Sequence, residues 1–177
     1  MIPKKVTKFL EENKIKHELV EHRTAFTAVD TAATQHIKPQ EIIKALVIKV
    51  DSKTPILVLL SANRNLDKDK LLKVINTDRK KNKEKLAKKI DFAKEKWMKE
   101  NIKVGKIGAT PPFSALLKMP IFIDNLVLKN TKVYVSSGDY NFSIKMTMAV
   151  FKKVLGDFMK GSFSVAKNKK SLSSIKV

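Results

Sequence analysis

The sequence predicts an α+β fold: one domain with a mixed, mostly antiparallel β-sheet or barrel surrounded by helices. Three observations lead there. Several apolar, β-branched runs follow one another with no helix between them, which disfavours a doubly wound parallel sheet. Amphipathic segments of helical period open and close the chain. At 177 residues and 43% hydrophobic composition, the chain can bury a core, since a domain near this size hides roughly 70% of its extended-chain surface. The expected boundaries are a domain over 1–158 and a basic, flexible tail over 159–177.

In order along the chain, "KKVTKFLEENK" places Val6, Phe9 and Leu10 on one helical face. "KHELVEH" is a short edge strand carrying Leu19 and Val20. "TAVDTAATQH" offers Thr27 as an N-cap, Asp30 three residues on, and a small-residue face of Ala28, Ala32 and Ala33. Pro39 ends that helix. "EIIKALVIKV" and "PILVLLS" are strands, and "DSKT" between them suits a hairpin. "LDKDKLLKVI" is a helix opened by Asp67 and Asp69, with Leu71, Leu72 and Ile75 inward.

The next segment, "DRKKNKEKLAKKIDFAKEKWMKEN", reads as one intensely basic helix. Lys81, Lys85, Lys88 and Lys89 recur on it at near-helical spacing, as either a solvated face or a phosphate-tracking one. "MPIFID", "KVYVSS" and "NFSIKM" are strands, the last two joined by a turn at Gly138 and Asp139. "TMAVFKKVLG" is a helix capped by Thr147 and stopped by Gly156. "KGSFSVAKNKKSLSSIKV" is poor in apolar residues and begins the expected tail.

Charge is the strongest global signal. Thirty-seven Lys+Arg against seventeen Asp+Glu give a net charge of +20. Such a field gathers polyanions, nucleic acid first and anionic membrane second. The absence of cysteine excludes disulfides, thiolate catalysis and iron–sulfur clusters. No apolar run approaches a membrane span and the N-terminus lacks an apolar signal core, so a soluble, cytoplasmic protein without a membrane partner is expected.

Most familiar chemistries find no support. His17, His22 and His36 lack metal-site spacing, so no metal is expected. "GKIGAT" has neither the order of a phosphate loop nor that of a dinucleotide fingerprint, so no cofactor is expected. No serine sits in a nucleophile elbow, and no covalent intermediate is expected.

Two features remain. Lys44 interrupts an apolar strand, and is either an exposed or structural lysine or a cation facing a cavity, where it could hold a phosphate or a developing oxyanion. The chain has only five glycines and six prolines, yet Gly105, Gly108, Pro111 and Pro112 all fall within "VGKIGATPPFS". Such a loop is either a tight connection or a stiff frame that aims backbone N–H groups at a carbonyl oxygen.

Together and in this order, these features resemble the YbaK family, the aminoacyl-tRNA deacylase domains related to the editing domain of bacterial prolyl-tRNA synthetase. The resemblance runs from about Val6 to Leu155. "TAFTAVDTAATQHIKPQEIIKALVIKV" is similar to the family's helix and lysine-bearing strand, and the family's lysine falls on Lys44. "LVLLSANRNLDKDKLLKVI" is similar to the strand and helix that follow. "DFAKEKWMKENIKVGKIGATPPFS" resembles its Gly-x-x-x-Pro block, with Gly108 and Pro112 on the two named positions. "MPIFIDNLVL" and "VYVSSGDYNFSIKM" resemble its later strands.

The resemblance implies a free-standing trans-editing enzyme that hydrolyses the ester of a mischarged tRNA, of Cys, Ala or Ser type on tRNA-Pro or another tRNA. It implies catalytic roles for Lys44 and Gly108. Substrate contacts are expected at Thr27, Ala109, Thr110, Pro111, Pro112, Gly138 and Asn141. Lys81, Lys85 and Lys88 would hold the RNA backbone, and an aminoacyl-tRNA synthetase is a further expected partner. The alternative is a non-catalytic tRNA- or RNA-binding, or synthetase-associated, module.

Overall fold

A computed structural model describes residues 1–23 and 37–167. The expected helix after Thr27 therefore lies outside the described residues. Among the described residues the strands form three open sheets rather than a closed barrel. The central sheet has five strands in the order β5 (Ile90–Phe92), β2 (Ile43–Val50), β3 (Thr54–Ser61), β6 (Ile121–Asp124) and β9 (Met159–Gly161). β2 pairs antiparallel with β3 and β5, whereas β6 runs parallel to both β3 and β9. A second, antiparallel sheet joins β1 (Glu18–Glu21), β8 (Phe142–Thr147) and β7 (Lys132–Ser136). A two-stranded strip joins β10 (Ser164–Ala166) to β4 (Arg64–Leu66).

The central sheet is buried on both faces, which explains why its strands read as continuous apolar runs instead of alternating ones. Ile43, Val47, Leu57, Leu59, Ile121 and Ile123 face one core. Helix α1 (Lys4–Glu12), with Val6 and Leu10, and the closing helix Met148–Leu155, with Phe151 and Val154, complete it. Ile48, Val50, Ile56, Val58, Leu60 and Phe122 face the other, beneath Leu71 and Ile75 of α2 (Lys68–Lys81). Asp67 caps α2 by accepting the Lys70 N–H at 3.1 Å, and Thr147 caps the closing helix by accepting the Val150 N–H at 3.2 Å.

Two expectations are corrected. The basic segment is not one helix. α2 stops at Lys81, Lys83 turns the chain with φ +57°, β5 occupies 90–92, and a short helix, α3, spans Glu95–Asn101. Packing overrides helical propensity here. Ala87 is buried, and its N–H and C=O are both taken by the Asn76 side-chain amide, at 2.7 and 3.0 Å. Ile90 then pairs with Val50. Lys85 and Lys88 consequently share no helix with Lys81.

Nor do residues 159–166 begin a flexible tail. They form β9 and β10 around a fully buried Phe163. The cause is the carboxylate of Asp124, 2% exposed. It accepts the N–H groups of Phe163 and Ser164 at 2.9 and 3.1 Å, the Ser164 hydroxyl at 2.9 Å and the Leu126 N–H at 3.2 Å. A low-apolar segment is thereby held by hydrogen bonds to one buried acid. Residues 168–177 lie outside the described residues.

The turn at 137–141 joins β7 to β8 as expected and presses on the glycine loop. A Cβ on Gly105 (φ +82°) would lie 2.4 Å from the Gly138 Cα. Gly105→Ala therefore combines a backbone clash with left-handed strain. It is expected to cost roughly 3 kcal/mol, read by denaturant unfolding. Asp124→Ala, which leaves three N–H groups and a hydroxyl unpartnered, should cost about 3 kcal/mol or more, with hydrogen exchange at Phe163 and Ser164 rising first. Unchanged unfolding midpoints would contradict both accounts.

Candidate functional site

The start of β2 and the middle of β7 approach each other, joined by a parallel bridge between Ile42 and Tyr134. Beside that bridge lies a cleft of about 210 Å³. This is smaller than the roughly 300–1,000 Å³ of sites for drug-sized ligands, so it suits a small group. Lys44, Gly108, Ala109, His22, Tyr140 and Ser143 are among its lining residues.

Lys44 is half-buried, and its Nζ donates to the Arg64 carbonyl of β4. Burial, then the charge of Lys167, lowers its pKa from 10.5 to about 8. β4 is itself fixed from below. The Arg64 guanidinium donates to the Ser164 hydroxyl at 3.1 Å and to its carbonyl at 2.9 Å, and that hydroxyl donates to Asp124. A chain of hydrogen bonds thus runs from the buried acid to the cleft lysine.

The glycine loop supplies another part of the lining. Gly108 is exposed with φ +85°, while Ala109, Thr110, Pro111 and Pro112 are buried. The Ala109 N–H donates to the Lys106 carbonyl at 3.0 Å, so that donor serves the turn. The loop is latched to the 137–141 turn. Lys106 N–H donates to the Gly138 carbonyl at 2.9 Å, Lys106 Nζ lies 3.1 Å from Asp139, and the Tyr140 hydroxyl donates to the Ile107 carbonyl. Asp139 also accepts from the Met1 ammonium at 2.8 Å and from the Asn141 N–H at 2.9 Å. Those bonds, the ammonium's above all, hold its carboxyl well below the usual carboxylate range.

One pair escaped the sequence reading. His22 Nδ1 lies 2.8 Å from the Arg23 carbonyl, and Nε2 lies 3.0 Å from the Ser143 hydroxyl. A carbonyl can only accept, so Nδ1 carries the proton; in the neutral ring Nε2 then accepts from Ser143. The available signal was strand pairing: Ser143 sits opposite Val20, and His22, two residues further on, shares the face of Val20, so the two side chains are diagonal neighbours.

The sequence-named residues divide accordingly. Lys44, Gly108 and Ala109 meet in the cleft. Thr110, Pro111, Pro112 and Gly138 are buried as the loop's frame. Asn141 is exposed, and its carbonyl accepts the His22 N–H at 2.8 Å. Thr27 lies outside the described residues. Lys81 ends α2, whereas Lys85 and Lys88 sit beside the β2–β3 turn, remote in sequence from the cleft. Among the described residues no cluster of potential metal ligands occurs and no helix is long and apolar enough to cross a membrane.

Solved structures share this fold at low identity. The hypothetical protein APE2540 superposes with a TM-score of 0.74 at 16% identity, covering 92% of this chain and all (100%) of that one. A candidate trans-editing enzyme for prolyl-tRNA synthetase superposes with a TM-score of 0.69 at 16% identity, covering 94% of this chain and 100% of its own. No curated protein sequence matches the chain. The sequence profile of the aminoacyl-tRNA editing domain matches residues 22–154, a span that holds every described lining residue of the cleft, and the chain belongs to that family.

Proposed function

We propose that the protein is a deacylase that removes a small amino acid from mischarged tRNA. The observation that carries this reading is the small cleft in which Lys44 and the Gly108 loop face a histidine, inside an editing-domain chain. At about 210 Å³ the cleft has room for an alanyl, seryl or cysteinyl group.

Ester hydrolysis needs a nucleophile, a proton acceptor and a stabiliser of negative charge. Water attacks the ester carbonyl, a C–O bond forms, and the carbonyl electron pair moves onto oxygen. The exposed Gly108 N–H, held by the latched loop, is the donor for that oxyanion. The Ser143 hydroxyl takes the proton from water while passing its own to His22 Nε2, whose ring the Arg23 carbonyl orients. Collapse of the intermediate expels the ribose oxygen, which recovers the proton. Lys44 holds the terminal phosphate or ribose, keeping the ester against the loop.

Tests follow from each role. Against a panel of alanyl-, seryl- and cysteinyl-tRNAs, the wild type should deacylate at least one, and Lys44→Ala should lower that rate by on the order of 10²-fold while remaining folded. Deacylation of none would instead favour the non-catalytic RNA-binding module. Because the lowered pKa of Lys44 lies at about 8, its cation is present below that pH and lost above it. After subtraction of uncatalysed hydrolysis, kcat/KM should fall as pH rises through about 8, and Lys44→Arg should move that limb upward. A limb unmoved by the arginine would exclude Lys44 as its origin.

Gly108→Ala and His22→Ala should each lower kcat by on the order of 10²-fold. The melting temperature of His22→Ala should change little, and the stability of Gly108→Ala should fall only by the left-handed strain that its φ of +85° imposes, about 1–2 kcal/mol. Stability and activity falling in step would make the loop and the histidine structural only.

A further inference from the structure

A second concave site lies at the far end of β2, around the β2–β3 hairpin. Asp51 and Ser52 turn the chain in left-handed conformations, with φ +51° and +61°. The Asp51 carboxylate then accepts the N–H groups of Lys88 and Lys89 at 2.9 and 3.0 Å, and the Asp51 N–H donates to the Lys89 carbonyl at 2.9 Å. Those N–H bonds lower the Asp51 pKa, so the acid stays ionised as a pin. Arg79, at the end of α2, donates to the Lys85 carbonyl at 3.0 Å and lies 4.0 Å from Asp51.

The result is a recess of about 430 Å³ walled by Lys53, Arg79, Lys85, Lys88 and Lys89, five cations against one carboxylate. All four lysines are exposed, and none has a carboxylate partner within 4.0 Å among the described residues. Lysines scattered by composition alone would not be pinned in a ring. Here Asp51 and Arg79 hold the backbone of Lys85, Lys88 and Lys89 where these residues line the hollow.

We propose that this recess docks the phosphodiester backbone of the tRNA acceptor stem, at a distance from the aminoacyl cleft. The assignment rests on the editing reading for the identity of the RNA, but the recess is built from different residues. A hollow with lysines on both rims receives a projecting sugar–phosphate ridge, which a flat lipid surface cannot supply. The spacing agrees. Seven residues of strand separate Lys44 from Asp51, or about 23 Å at roughly 3.3 Å per residue. With a rise of roughly 3 Å per stacked nucleotide, the recess meets phosphates several nucleotides from the ester, within the first base pairs of the stem.

The test uses the whole protein and two ligands, an acceptor-stem minihelix and a CCA trinucleotide. Titration of the uncharged minihelix at several salt concentrations should show Lys85→Glu/Lys88→Glu binding on the order of 10-fold more weakly, with a log–log salt slope flatter by about 2. Lys53→Glu, on the hairpin and outside the pinned segment, should act in the same direction. With the ligands aminoacylated, the kcat/KM ratio of minihelix to trinucleotide should fall in both variants. Unchanged minihelix affinity and slope, or parallel losses on both ligands, would overturn the proposal. A wild type that binds the minihelix with the expected salt dependence but deacylates nothing would sink the editing reading and leave the docking surface standing.

Discussion

The buried carboxylate of Asp124 has its acceptor capacity taken up by three backbone N–H groups and one hydroxyl, and the arrangement of the cleft descends from it. A buried acid is tolerated in a core only when its oxygens are so satisfied. Satisfying it obliges the chain after Gly161 to turn back over the sheet edge. That return lays β10 against β4, presents Ser164 to the Arg64 guanidinium, and leaves the Arg64 carbonyl to orient Lys44. Each link is local and short. Their sum carries rigidity from the core to a half-buried cation.

The second wall is organised on another principle. Two glycines with positive φ, Gly105 and Gly138, let two backbone segments meet closer than any side chain permits. The Lys106–Asp139 pair then closes the contact at 3.1 Å. The prolines stiffen the loop from beneath, being buried themselves, so only Gly108 and Ala109 reach the cleft. One wall thus presents a cation and the other a backbone, a division suited to a substrate with a phosphate at one end and a carbonyl at the other.

Much of this was legible in the sequence because it rests on local signals. The hairpin, the caps at Asp67 and Thr147, and the turn at Gly138 follow from residues close together in the chain. Lys44 stood out because a lysine in an apolar strand contradicts its surroundings. The rest depended on distant partners. Nothing near Ala87 announces Asn76, so a run of good helix formers read as a helix. Nothing near Phe163 announces Asp124, so two strands read as a tail. His22 and Ser143, 121 residues apart, meet only through strand pairing.

The central claim is that the aminoacyl ester sits between Lys44 and the Gly108 loop. Its most direct test is an amide NMR titration with non-hydrolysable 3′-aminoacylamido adenosine analogues carrying alanyl, seryl and cysteinyl groups. The account predicts that at least one analogue shifts the Gly108 and Ala109 amides and the Ser143 region, and that the Lys44 side-chain resonance responds with them. Saturating shifts confined to other surfaces, with those amides unmoved by every analogue, would contradict it.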